Sequence, residues 1–458
     1  MEFPVNLLVV GVGVVIALLL ASYLAADTAR WFEEELRVAS VAKGFRFERR
    51  RRHSRVARGW RDDYHVQVEI RAVAGQEEDG RAHDHLLVSL RCDRFPQRVG
   101  FSPERGSSAD ILTGDRHFDD AVQVQGEPTI LAALLDQPLR FGLRKLVAWD
   151  GSLGDGQISW RAPVTFVAGQ VPRALGELVE LADLLTAAKG GICERQSRNA
   201  RDDESPGVRL WNLTLLQQHF ADRPEAREAS RALLADRDPW VRLAAARFLP
   251  DESPPVLRGL LDDRETPDHA AAEAAVLLGA RLPAAEAGPL LTSALKRRSG
   301  EARRLAMQEL GRIRHGPAVN PLCVLLDRAD PRTAAAAAEA LGTIGDAKAE
   351  AHLLDAVRHD EAELRIAAAH ALGALGTVRA VEPLLELLAA KRIDGESRQA
   401  LREAVGAIQS RLAGAEAGQL SLAPTAAEAG RLSLATPQAG PGDVSLASEP
   451  ERRPGYSR

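Results

Sequence analysis

Four side chains with oxygen or nitrogen donors crowd one short segment: Asp115, His117, Asp119 and Asp120, within Ile111-Leu112-Thr113-Gly114-Asp115-Arg116-His117-Phe118-Asp119-Asp120. Hard oxygen ligands gathered in a loop can hold Ca²⁺ or Mg²⁺, but an EF-hand loop alternates its ligands around a central glycine and ends on a distal Glu. That spacing is absent here, so the expectation is a turn in which the aspartates hydrogen-bond the local backbone, with no metal site. His83-Asp84-His85 poses the same question, and two histidines at i and i+2 without a third ligand point to a solvated loop. Cys92, Cys193 and Cys323 lie far apart with no CxxC spacing. They offer neither a disulfide framework nor a zinc quartet, and each reads as a small buried hydrophobe in a reducing compartment.

No nucleophile elbow, Walker loop, HExxH or dinucleotide fingerprint occurs in the chain. The glycine-rich run Gly151-Ser152-Leu153-Gly154-Asp155-Gly156 precedes a strand instead of opening a helix, so it lacks the geometry for phosphate and reads as a hairpin turn. The expectation is therefore no catalytic constellation, no cofactor and no enzyme.

The elements that would position these residues begin with a hydrophobic run. Phe3 to Ala26 carries no charge, and at about 1.5 Å per residue it would reach roughly 36 Å, enough to cross a bilayer core of about 30 Å. Glu2 precedes the run, no basic residue does, and no convincing cleavage pair follows, so an uncleaved transmembrane helix over 3–26 is expected in place of a signal peptide. A helix leaving the membrane follows over 27–43. Between Lys43 and Arg61 nine basic residues face Glu48 alone, which predicts the N-terminus outside and the bulk in the cytoplasm. The 43–61 cluster either only marks topology or also touches anionic lipid headgroups.

Beyond it the hydrophobic period becomes two. Tyr64, Val66, Val68 and Ile70 alternate with polar residues, and 86–90 and 157–160 read as further strands. Residues 127–135, 139–147 and 173–188 read as helices. Together they predict a small α+β domain over 44–192. Its Thr113-Gly114-Asp115 and Phe118-Asp119-Asp120 resemble the TGD-x-x-FDD segment of membrane-tethered bacterial proteins of unassigned function, where a strand, a Gly turn and a Leu-rich helix follow.

Residues 193–207 are expected to be a linker. From 208 to 412 the pattern repeats: Pro250, Gly279, Gly311, Gly342, Gly373 and Gly406 recur at separations of 29, 32, 31, 31 and 33 residues. Each is expected to close an Ala-rich helix that precedes a Leu-rich one, an all-α solenoid. Asp238-Pro239-Trp240-Val241-Arg242, Asp330-Pro331-Arg332 and Leu364 to Gly373 resemble HEAT-like repeats of the short bacterial type, related to those of phycobilin lyases. Arg242, Arg303, Arg365 and Arg398 recur eight residues before the anchors; they form either a basic binding ladder or internal pairs with Asp238, Asp330 and Asp360.

Residues 205–412 hold 28 Lys plus Arg and 29 Asp plus Glu, and the whole chain carries −5. A solenoid that wraps nucleic acid should be clearly positive, so protein is the expected ligand. Residues 413–458 are expected to be disordered, with three copies of G-x-[LV]-S-L-A beginning at Gly418, Gly430 and Gly442. These copies either add as strands to a sheet edge or are low-complexity drift. The sequence thus predicts a bacterial single-pass inner-membrane protein that displays a HEAT-like protein-binding scaffold. The alternative is ligand or lipid sensing by the α+β domain with the solenoid as relay or oligomerisation element. The phycobilin-lyase resemblance adds a remote lyase-like reading.

Overall fold

The computed structural model describes residues 27–49, 54–74, 82–103, 111–165, 167–187, 190–390, 393–411, 420–422 and 432–434. The membrane span expected at 3–26, Arg50 to Arg52 of the basic cluster and the third tail copy lie outside them. Among the described residues no helix is long and apolar enough to cross a membrane. The chain forms two compact units, Met1–Phe248 and Leu249–Arg458.

The first unit opens with a helix, α1 (27–43), then β1 (Arg46–Phe47), β2 (Val56–Arg61), β3 (Tyr64–Ala74), β4 (Ala82–Arg91) and β5 (Gly100–Pro103). It continues through α2 (Arg116–Asp119), β6 (Val122–Gln125), α3 (Pro128–Leu134), α4 (Gln137–Ala148), β7 (Ser152–Gly154), β8 (Gln157–Pro163) and α5 (Gln170–Thr186). Four helices close it: α6 (Ile192–Asp202), α7 (Pro206–His219), α8 (Pro224–Leu233) and α9 (Pro239–Phe248).

The eight strands form one antiparallel sheet in the order β1-β2-β3-β4-β8-β7-β5-β6. Period-two alternation decides its faces. Val66, Val68, Ile70, Leu86, Val88, Leu90, Ile158 and Trp160 enter a core shared with Phe32 and Leu36 of α1, Leu139 and Leu143 of α4, and Leu175 and Leu178 of α5. The intervening polar residues of β3, Gln67, Glu69 and Arg71, line an open hollow on the opposite side. Glu35 of α1, 2% exposed, caps α5 by accepting hydrogen bonds from Gly169 N (2.6 Å) and Val171 N (2.7 Å).

His83-Asp84-His85 lies within β4 and not in a solvated loop. Backbone pairing Ala72↔Asp84 and Arg71↔His85 holds the segment in the sheet. The 151–156 glycine run is a hairpin as expected. Gly154 pairs with Gln157, and Asp155 (φ 51°) and Gly156 (φ 70°) take the two left-handed positions of a tight hairpin turn.

The stretch 193–207 is not a linker. Most of it is α6, whose Gln196 and Asn199 side chains donate to the carbonyls of Thr129 (3.0 Å) and Ala132 (2.8 Å) on α3. Its polar composition looked solvent-facing because those amides serve as bonds to another helix.

The second unit contains α10 (Pro254–Asp262), α11 (Asp268–Arg281), α12 (Ala284–Arg297), α13 (Gly300–Arg312), α14 (Val319–Arg328), α15 (Pro331–Ile344), α16 (Glu350–Ala356), α17 (Ala362–Leu375), α18 (Val378–Ala389) and α19 (Gly395–Ser410). Here α11, α13, α15, α17 and α19 pack in succession as one layer, and the even-numbered helices form the second. Single helix pairs bury little, so the array draws its stability from stacking.

The anchor glycines do not break these helices; Gly279, Gly311, Gly342, Gly373 and Gly406 all lie inside them. A Cβ would meet Ala340 Cα at 3.3 Å from Gly311, Ala371 Cα at 2.8 Å from Gly342, and Ala404 Cα at 3.2 Å from Gly373. At these three positions glycine is favoured because the helix backbone passes close to the next, which offsets its poor helix propensity. Gly406 has nothing within 4 Å of its Cβ position.

The tail strands β9 (Leu420–Leu422) and β10 (Leu432–Leu434) pair antiparallel, Ser421 opposite Ser433. Two of the three copies expected to be disordered thus pair with each other, since Leu-Ser-Leu alternation suits a two-stranded ribbon.

Candidate functional site

The TGD-x-x-FDD loop is held by its own acidic side chains. Asp115 caps α2, accepting from Phe118 N. Asp119 Oδ1 accepts from Thr113 N (3.0 Å) and Thr113 Oγ1 (2.8 Å), and Oδ2 from Gly114 N (2.9 Å). His117 and Asp120 are exposed. The four proposed oxygen and nitrogen donors are therefore not brought together, and among the described residues no group of three or more His, Cys, Asp or Glu is arranged around a common point.

The loop instead receives a buried arginine that sequence reading missed. Arg140 of α4, whose side chain is 3% exposed, donates Nε to Asp115 Oδ2 at 3.0 Å. Its Nη1 and Nη2 make a bidentate pair with Asp203 at 2.8 and 2.9 Å, and Nη1 also reaches the Leu135 carbonyl at 2.8 Å. Burial opposes the charge, but the hydrogen bonds and charges of Asp203 and Asp115 hold the guanidinium pKa above its ordinary value. Gly114 adopts φ +87°, and a Cβ there would meet the Gly207 backbone at 2.6 Å. Ser205 Oγ donates to the Gly114 carbonyl at 3.2 Å. The motif thus fastens the start of α7 to the α+β domain within the first unit. An arginine 25 positions away from Asp115 and 63 from Asp203 leaves no local pattern for sequence reading to find.

The regular arginines Arg242, Arg303, Arg365 and Arg398 occupy the fourth residue of α9, α13, α17 and α19, and Arg209 holds the same place in α7; Arg209, Arg242, Arg365 and Arg398 bond internally. Arg209 binds Asp236 through Nε (2.8 Å) and Nη2 (2.7 Å) and the Asp203 carbonyl through Nη1 (2.8 Å). Arg242 Nη1 donates to the carbonyls of Asp236 (2.9 Å) and Arg237 (3.0 Å). Arg365 binds the His359 carbonyl (2.7 Å), Ser397 Oγ (2.9 Å) and Asp394 Oδ2 (2.6 Å). The Ser397 amide and hydroxyl together with Arg365 hold the Asp394 carboxyl well below the usual carboxylate range. Arg398 Nη2 faces the Ala390 and Ile393 carbonyls at 3.4 and 3.5 Å.

The expected partners differ. Asp238 and Asp330 cap their own helices, accepting from Trp240 N (2.9 Å), Val241 N (3.2 Å) and Thr333 N (3.1 Å), and Asp360 contributes only its carbonyl. A carboxylate at an N-cap is already held by first-turn amides.

The array ends on a polar helix. Where α15 places Ala335 and Ala338, both buried, against its neighbour, α19 has Gln399 and Arg402, both exposed. A polar outer face on the terminal repeat stops further stacking. Of the basic cluster, Arg46 and Arg49 are exposed, whereas Arg55 pairs with Asp84 at 2.9 Å and Arg58 donates to Gln67 at 3.3 Å. Cys92 and Cys323 are buried and Cys193 partly so; burial pushes the Cys323 thiol up to about 11.

A cavity of 640 Å³ opens at the end of α4, lined by Trp149, Trp160, Val167 and Arg173 among others. Trp149 and Trp160 meet edge to face with centroids 6.0 Å apart, and the Arg173 guanidinium lies 5.8 Å from the Trp149 ring centre. Sequence reading did not single out these residues.

Residues 288–365 and 319–406 match the HEAT repeats family, so this stretch of the second unit is a HEAT-like helical repeat array. A crystal structure of an engineered protein is 21% identical, with a TM-score of 0.33, covering 51% of this chain and 71% of that one. A designed armadillo repeat protein in complex with the peptide (KR)4 is 18% identical, with a TM-score of 0.29, covering 43% and 98%. Human deoxyhypusine hydroxylase in complex with glycerol is 21% identical, with a TM-score of 0.22, covering 47% and 85%. No curated protein matches the chain.

Proposed function

We propose that the chain is a membrane-anchored scaffold that binds protein through its HEAT-like array on the cytoplasmic side, and that it is not an enzyme. The observation that carries the reading is the array itself: α11, α13, α15, α17 and α19 stack in one layer, an architecture that offers extended surface to macromolecules. Its near-zero net charge favours a protein ligand over nucleic acid. The uncharged 3–26 run and the basic residues after it support the anchor and its orientation.

Proximity labelling in cells, comparing the full chain with a variant lacking Leu249–Arg411, tests the scaffold. Loss of labelled neighbours on deletion is expected; an unchanged neighbour set would transfer the binding role to the first unit. Membrane fractionation of a variant lacking residues 2–26 tests the anchor, with release into the soluble fraction expected.

A further inference from the structure

The Trp149–Trp160 cavity has the makings of a ligand site that the scaffold reading does not use. It sits where the end of α4, strand β8 and the first turns of α5 converge. Several of its polar groups are already committed. Arg161 donates to the Asp150 carboxylate, through Nε at 2.8 Å. Gln170 donates Nε2 to the Pro163 carbonyl at 2.8 Å and accepts from Thr165 N and Oγ1 at 3.2 and 3.1 Å.

One charged donor remains. Arg173 is exposed, and among the described residues no carboxylate pairs with it. With Asp150 at −1 and Arg161 and Arg173 at +1 each, the described lining residues carry a net +1. The walls are otherwise apolar: two indole rings, Ala174 and the 64%-exposed Val167.

We propose that this cavity binds a small aromatic monocarboxylate, its carboxylate held by Arg173 and its ring against the indole walls. The volume lies in the range of small-molecule sites, which pair apolar walls with a few convergent polar groups. A carboxylate supplies the opposite charge for the guanidinium. Flat aromatic walls favour a ring over an alkyl chain. A cationic ligand is disfavoured, because the guanidinium already lies over Trp149 and the lining is net positive. The proposal rests on the first unit alone and holds or fails independently of the scaffold.

Calorimetric titration of the full-length protein in detergent with 2-naphthoate and with its neutral counterpart 2-naphthamide tests it. Expected are binding of 2-naphthoate with Kd below about 1 mM and at least about tenfold weaker binding of the amide. Arg173→Gln should weaken 2-naphthoate about tenfold and leave the amide unchanged, while Arg173→Lys should recover part of the loss. Because Arg173 is exposed, these variants keep the core intact. The proposal is overturned if 2-naphthoate gives no heat, if both ligands bind equally, if Arg173→Gln leaves 2-naphthoate affinity intact, or if decanoate binds and 2-naphthoate does not.

Discussion

Gly342 of α15 and Ala371 of α17 lie so close that a Cβ on Gly342 would stand 2.8 Å from the Ala371 Cα. The same step recurs between Gly311 and Ala340 and between Gly373 and Ala404, at 3.3 and 3.2 Å. The repeat period is therefore a contact period, set by where one helix backbone crosses the next. Gly342→Ala should destabilise the array by about 1–3 kcal/mol, the cost of overpacking. Gly406→Ala, at the open end, should stabilise by about 0.5–1 kcal/mol through helix propensity alone. Thermal unfolding of the two variants should move in opposite directions; a shared direction would refute the contact account.

Arg140 carries the junction between the TGD loop and α7. Arg140→Met should cost about 3–5 kcal/mol, because it leaves Asp203 buried and unpaired. Arg140→Lys keeps the charge but loses the bidentate geometry, so its loss should be intermediate. Hydrogen exchange should quicken at 111–120 and 203–207 in both. Exchange confined to α4 would show that the loop is held by other contacts.

The buried thiol of Cys323 gives a pH signature. Burial raises its pKa from 9.0 to about 11 in the folded chain. A raised acidic pKa contributes no penalty below the unfolded value, so stability is retained there and declines as pH rises from 9.0 towards about 11. The denaturant midpoint of the native protein should fall more steeply over that window than that of Cys323→Ala. Parallel pH profiles would show that the thiol does not contribute.

Pairing of β9 with β10 places Ser421 opposite Ser433. Directly opposed residues in an antiparallel ribbon lie about 4.5–5.5 Å apart at Cα, within disulfide reach. Ser421→Cys with Ser433→Cys should form an intramolecular disulfide under mild oxidation, read by non-reducing electrophoresis and peptide mapping. Only intermolecular products would mean that the copies pair between chains.

Much of this protein is written in local pattern. Alternation from Tyr64 to Ile70 announces a strand, Asp330-Pro331 a helix start, and the Gly-Ala rhythm a stacked array, because each depends on residues a few positions apart. The turn at Asp155-Gly156 belongs to the same class. Tertiary structure decided what lies across long separations. Arg140 finds Asp115 and Asp203, α6 replaces an expected linker because its amides bond to α3, and the regular arginines take backbone carbonyls and the carboxylates of Asp236 and Asp394 in place of Asp238, Asp330 and Asp360. Trp149 and Trp160 form one cavity because the β7–β8 hairpin folds the chain back beside α4, and that juxtaposition depends on strand order and burial, which no local spacing records.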